Sequence, residues 1–156
     1  MAGLKIGAAA PAFTLKNQDN EKVSLKDFKG QNVVVYFYPK AMTPGCTTQA
    51  CGIRDSKKEL AKENIVVLGI SPDPVEKLQK FITKEKLNFT LLSDEDHAIA
   101  DKYSSWGPKK FMGREYDGIL RQSFLINTEG KLVQIMSKVN TKTHHTDIIK
   151  AFKSLE

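Results

Sequence analysis

Two unbroken runs of β-branched and aromatic residues constrain this chain most: Val33-Val34-Val35-Tyr36-Phe37-Tyr38 and Ile65-Val66-Val67-Leu68-Gly69-Ile70. Neither alternates with polar residues, so each reads as a strand covered on both faces. From about Pro44 to Glu63 the residues between them favour a helix. Strand, helix and strand in that order predict a βαβ unit, in which parallel strands are covered by the helix that connects them.

The other elements fall around this unit. Residues 12–16 and 22–25 flank the polar turn Asn17–Glu21 and predict an N-terminal β-hairpin. Val75, Leu78, Phe81 and Ile82 form an apolar stripe at helical spacing over Pro74–Lys86. A short strand at Thr90–Leu92 and a helix near Glu95–Tyr103 follow. Residues 104–118 hold several Gly, Pro and Lys residues and read as a long loop. Gln122–Ile126 and Lys131–Met136 flank Asn127-Thr-Glu-Gly130, a strong hairpin signal. A last helix spans about His144–Leu155, with Ile148, Ile149, Phe152 and Leu155 facing inward. The expected fold is α/β and thioredoxin-like: a central mixed β-sheet flanked by helices, with an N-terminal β-hairpin extension. One domain is expected over residues 1–156, a length that can bury a substantial core.

Charge and composition narrow the function classes. The net charge is +6, but the lysines are scattered among acidic residues at helical spacing. They read as solvated helix faces, with no basic run interleaved with aromatics, so no nucleic-acid partner is expected. No segment has the apolar length of a membrane span. The first ten residues lack a long apolar stretch behind a basic start, so a cytoplasmic location is expected. Two cysteines are too few for a secreted disulfide scaffold. Close together in one chain, Cys46 and Cys51 suggest redox chemistry or metal binding. Two thiols are a poor metal site, and His97, His144 and His145 are distant in sequence.

The segment Tyr38–Cys51 leaves a buried strand and enters a helix, where sites of open α/β sheets gather. Thr43 is a fair N-cap, and Pro44 suits the first helical position. Cys46 then lies in the first turn, where unpaired backbone N–H groups and the helix dipole favour a negative charge. A thiol there should ionise more readily than a free cysteine, and the thiolate is the nucleophile. Gly45 leaves space beside the sulfur. In an unbroken helix, Cα atoms five residues apart are roughly 8–9 Å from each other. A disulfide needs about 4.4–6.8 Å, so oxidation must unwind part of the helix. Taken alone, Cys51 would read as a small buried hydrophobe.

At Pro39, Thr43 and Cys46 the chain resembles the peroxiredoxins, whose pattern is Pro, three residues, Thr or Ser, two residues, Cys. The position of Cys51 is similar to the peroxiredoxin Q, or bacterioferritin comigratory protein, subfamily. The likeness extends through Leu68–Pro72, Asn88–Asp94, Trp106-Gly107, Phe111–Gly113, Tyr116–Ile119 and Arg121–Ile126. It implies a peroxidase in which Cys46 is the peroxidatic cysteine and Cys51 resolves it within the chain. By the same resemblance Thr43 hydrogen-bonds the sulfur and the peroxide, Arg121 sits beside the thiolate, and Pro39 shields the site. Thioredoxin, or alternatively glutaredoxin, is the implied reductant. No cofactor or metal is needed, and a monomer is expected. Bland readings attach to Arg54, Asp55 and Glu59 as a solvated helix face, to His144 and His145 as capping or surface groups, and to Tyr38 and Trp106 as packing near the site. Gln49, one turn past Cys46, is left open between pocket and packing. The competing reading is a redox relay that passes its disulfide to a partner with little turnover of its own.

Overall fold

The computed structural model describes residues 4–155. The strands are β1 (Thr14–Asn17), β2 (Lys22–Ser24), β3 (Asn32–Phe37), β4 (Ile65–Ser71), β5 (Thr90–Ser93), β6 (Trp106–Phe111), β7 (Arg114–Ile119), β8 (Gln122–Ile126) and β9 (Leu132–Met136). The helices are α1 (Pro44–Asp55), α2 (Lys57–Lys62), α3 (Val75–Glu85), α4 (Ala98–Lys102) and α5 (His144–Ser154). Seven strands form one mixed sheet in the order β2-β1-β5-β4-β3-β8-β9. Strands β3, β4 and β5 run parallel, and β1 and β8 join them antiparallel. This is the mixed α/β sheet expected from the sequence, and the N-terminal hairpin extends it through β1 and β5.

β3 lies in the interior of the sheet and is buried on both faces, as its lack of alternation requires. Its side chains still divide by the period of two. Val34 and Tyr36 point into a core with Ala50 and Ile53 of α1, Leu78 and Phe81 of α3, and Ile148 and Phe152 of α5. Val33, Val35 and Phe37 point to the opposite core, with Phe13, Ile99, Tyr103 and Phe124.

Four local expectations are corrected. The long helix breaks at Ser56, which leaves the α region (φ −100°, ψ 11°) and separates α1 from α2. The helix near Glu95–Tyr103 shortens to α4, because His97 adopts a left-handed conformation at its start. Residues 104–118 are not a loop: β6 and β7 pair from Trp106↔Ile119 to Phe111↔Arg114 as a separate antiparallel hairpin. Met112 and Gly113 both have positive φ, as a two-residue turn between right-twisting strands demands. Leu155 follows the last turn of α5 and is exposed, whereas Ile148, Ile149 and Phe152 are buried.

Gly69 lies opposite Tyr36 in the β3–β4 register. A Cβ at Gly69 would lie 2.9 Å from the Tyr36 ring and hydroxyl and 3.0 Å from Leu91. Tyr36 is enclosed by Tyr38, Phe89 and His144, so it has little room to retreat. Gly69→Ala should therefore destabilise the fold by about 1–3 kcal/mol, the usual cost of overpacking. Urea denaturation checks this, and an unchanged midpoint would mean that Tyr36 can move aside.

Candidate active site

The site forms where β3 ends. Beyond Tyr38 and Pro39, the loop is fixed by the buried Asp73, whose Oδ2 accepts from the Ala41 N–H at 2.7 Å and from the Ser71 hydroxyl at 2.8 Å. Met42 then turns the backbone through a positive φ of 66°. Thr43 is extended at the N-cap of α1 and Pro44 opens the helix. Cys46 lies in the first turn, almost wholly buried, as the Thr43-Pro44 start predicts.

Arg121 reaches the same place from the other side. Phe37 pairs with Gln122 in the β3–β8 register, so Arg121, one residue before β8, stands level with the end of β3. Its Nη2 donates to Cys46 Sγ at 3.3 Å. Its Nη1 donates to Gln49 Oε1 at 2.6 Å. A Cβ on Gly45 would lie 3.5 Å from Arg121 Nη2, so the guanidinium fills much of the space beside Gly45. Among the described residues Arg121 has no carboxylate in ion-pair contact. Its charge is left for the sulfur and for any group bound there.

Gln49 continues the network. Its Nε2 lies 3.1 Å from His144 Nδ1, and His144 Nε2 lies 2.6 Å from Ser123 Oγ. The expectation of a capping or surface role for His144 is corrected, since this ring is buried. Burial, helped by His145 and Arg121, lowers its pKa to about 3, so it is neutral near pH 7. Sequence reasoning missed His144 and Ser123. The buried face of the last helix was the available signal, and it did not show which polar residue would be enclosed.

The remaining predicted residues divide. Pro39 is half-buried at the mouth of the loop. Thr43 is near the site, and its hydroxyl donates to the Lys40 carbonyl at 2.8 Å. Cys51 is on the same unbroken helix as Cys46, and both are free thiols. It faces α3, where its Sγ meets Glu85 Oε1 at 3.6 Å. Burial pushes the Cys51 thiol up, Arg54 opposes this, and Glu85 adds to it. Arg54 is only partly the solvated group expected, because its Nη1 donates to the Glu85 carbonyl. Trp106 lies against His97 with ring centroids 3.7 Å apart. Among the described residues no cluster of His, Cys, Asp and Glu could hold a metal, and no helix is long and apolar enough to cross a membrane.

A thiol beside a permanent cation, at a helix N-terminus, can act as a nucleophile, and the same donors can stabilise charge on a leaving oxygen. Known proteins match the chain along most of its length. The AhpC/TSA family matches residues 6–135. Peroxiredoxin Bcp of Escherichia coli is 55% identical over 153 residues, 98% of each chain. That of Bacillus subtilis is 45% identical over 97% of each. The bacterioferritin comigratory protein of Xanthomonas campestris, whose structures address alkyl peroxide reduction, superposes with a TM-score of 0.89 at 32% identity over 99% of both chains. With a family match across most of its length and such relatives end to end, the chain belongs to the AhpC/TSA family, among the peroxiredoxins of the Bcp group.

Proposed function

We propose that the chain is a thiol-dependent peroxidase in which Cys46 is the attacking thiol, Arg121 its electrostatic partner and Cys51 the resolving thiol. The observation that carries this reading is the contact of Arg121 with Cys46 Sγ in the first turn of α1. The Cys46 sulfur attacks one peroxide oxygen and the O–O bond breaks. The departing oxygen takes a proton and leaves as an alcohol, or as water from hydrogen peroxide. Arg121 donates to the sulfur and to the oxygen that gains charge. Thr43 uses its proton on Lys40, so its hydroxyl lone pairs are what it offers to the peroxide O–H. Pro39 screens the pocket from bulk water.

The product is a sulfenic acid on Cys46. Cys51 displaces its oxygen as water and an internal disulfide forms. The intact helix holds the two Cα atoms roughly 8–9 Å apart, beyond disulfide reach, so α1 unwinds for this step. A thioredoxin-type dithiol then restores both cysteines by exchange and is itself oxidised. Thioredoxin is the expected donor and glutaredoxin the alternative. One domain and one chain suffice as the working unit, since both thiols come from the same chain. A reducing cytoplasm fits a cycle that must regenerate them.

Substoichiometric hydrogen peroxide should consume two thiols per peroxide and leave a monomer on a non-reducing gel. Cys46→Ser should abolish the loss; retained consumption would sink the assignment. Arg121→Ala should slow the first oxidation by about 100-fold, the typical effect of removing one donor to a developing charge. Stopped-flow thiol loss measures that, and a wild-type rate would remove Arg121 from the chemistry. Cys51→Ser should keep the first oxidation and lose thioredoxin-driven turnover. Sustained turnover would assign resolution to a thiol from elsewhere.

A further inference from the structure

Behind Arg121 lie three polar side chains that the chemistry above does not use: Gln49, His144 and Ser123. Each is at most 1% exposed. Their hydrogen bonds leave one consistent assignment. Arg121 is only a donor, so the Gln49 atom that meets it must be the oxygen. The Gln49 amide NH₂ then faces His144 Nδ1, which must carry a lone pair. The imidazole proton is on Nε2 and is donated to Ser123 Oγ.

This chain matters because a glutamine amide has two ends of nearly equal shape. Turned over, it would present NH₂ to the guanidinium, and Arg121 would lose its acceptor. A bare Nδ1 on His144 favours the correct end. An Nδ1–H would favour the wrong one. The groups around the ring do not supply a negative charge that would protonate it. Tyr36 meets it edge-on at 5.3 Å and is itself held protonated by burial, while Arg121 and His145 are cationic or neutral.

We propose that His144, as its Nε2–H tautomer, is a positioning residue that sets the orientation of the Gln49 amide and thereby holds the Arg121 guanidinium on Cys46. The proposal rests on reading Cys46 and Arg121 as the reacting pair.

The test combines the rate of Cys46 oxidation by hydrogen peroxide with the pH profile of Cys46 alkylation, read by mass spectrometry on the full chain. His144→Phe keeps an aromatic ring but removes the acceptor. It should slow oxidation about tenfold, the equivalent of one hydrogen bond, and displace the alkylation profile towards alkaline pH. His144→Asn places an oxygen near the position of Nδ1 and should recover most of the rate. A loss in His144→Phe that His144→Asn does not restore is a packing effect and overturns the proposal. An unchanged His144→Phe beside an altered Arg121→Ala overturns it and leaves the Cys46–Arg121 reading standing. If Arg121→Ala moves nothing, both fall. Should the Phe variant fail to fold, ring ¹⁵N spectra of the unaltered protein decide: a bare Nδ1 at neutral pH supports the proposal, and a protonated Nδ1 overturns it.

Discussion

The register between β3 and β8 is the constraint on which the site depends. Pairing Val33 with Ile126 and Phe37 with Gln122 brings Arg121 level with the end of β3, where the chain turns towards Cys46. A slip of one residue would exchange the two faces of β8 and carry Arg121 away from the sulfur. Such a slip is opposed on both sides of the sheet. Leu125 packs with Val34 on the side of α1 and α5, and Phe124 packs with Phe37 and Tyr103 on the side of α4. The cores that stabilise the fold therefore also place the cation.

Neutral partners complete the arrangement. A carboxylate bound to Arg121 would hold it firmly but offset much of its charge. Gln49 supplies a dipole and leaves the net charge intact. An amide must then be told which way to face, and the buried His144–Ser123 pair meets that need. Cys51 has the opposite surroundings: it sits beside Glu85, and burial and the carboxylate keep its proton on at rest. Two thiols in one helix thus have different environments, one cationic and one acidic.

Much of this was legible in the sequence, for identifiable reasons. The unbroken runs Val33–Tyr38 and Ile65–Ile70 could only be two-sided strands, and Thr43-Pro44 marked the helix start that presents Cys46. Arg121 was different: no local pattern around Gln-Ser-Phe-Leu-Ile connects it to a cysteine 75 positions earlier, and only the family resemblance pointed to it. His144 had no such help. Its partners Gln49 and Ser123 are 95 and 21 residues away, and a histidine at a helix start looks the same whether it caps or is enclosed. The β6–β7 hairpin is hidden in the sequence by the Gly, Pro and Lys content of residues 104–118. Only Gly113 has the positive φ of a turn glycine, while Gly107 and Gly118 pair across the ladder.

In the proposed cycle, the anchors at the two ends of α1 set how far its opening can spread. Upstream, Asp73 holds the Ala41 amide. Downstream, Arg54 donates to the Glu85 carbonyl, Asn88 donates to the Arg54 carbonyl, and Lys57 donates to the Asn88 carbonyl. A helix pinned outside both cysteines can unwind between the pins without leaving the sheet. Cys46 and Cys51 are then two ends of a short leash, and they meet at an effective concentration of about millimolar. A thiol on another protein at micromolar concentration competes at a disadvantage of about a thousandfold. Once α1 opens in the proposed cycle, the short tether favours internal disulfide closure and limits the time in which the sulfenic acid meets a second peroxide.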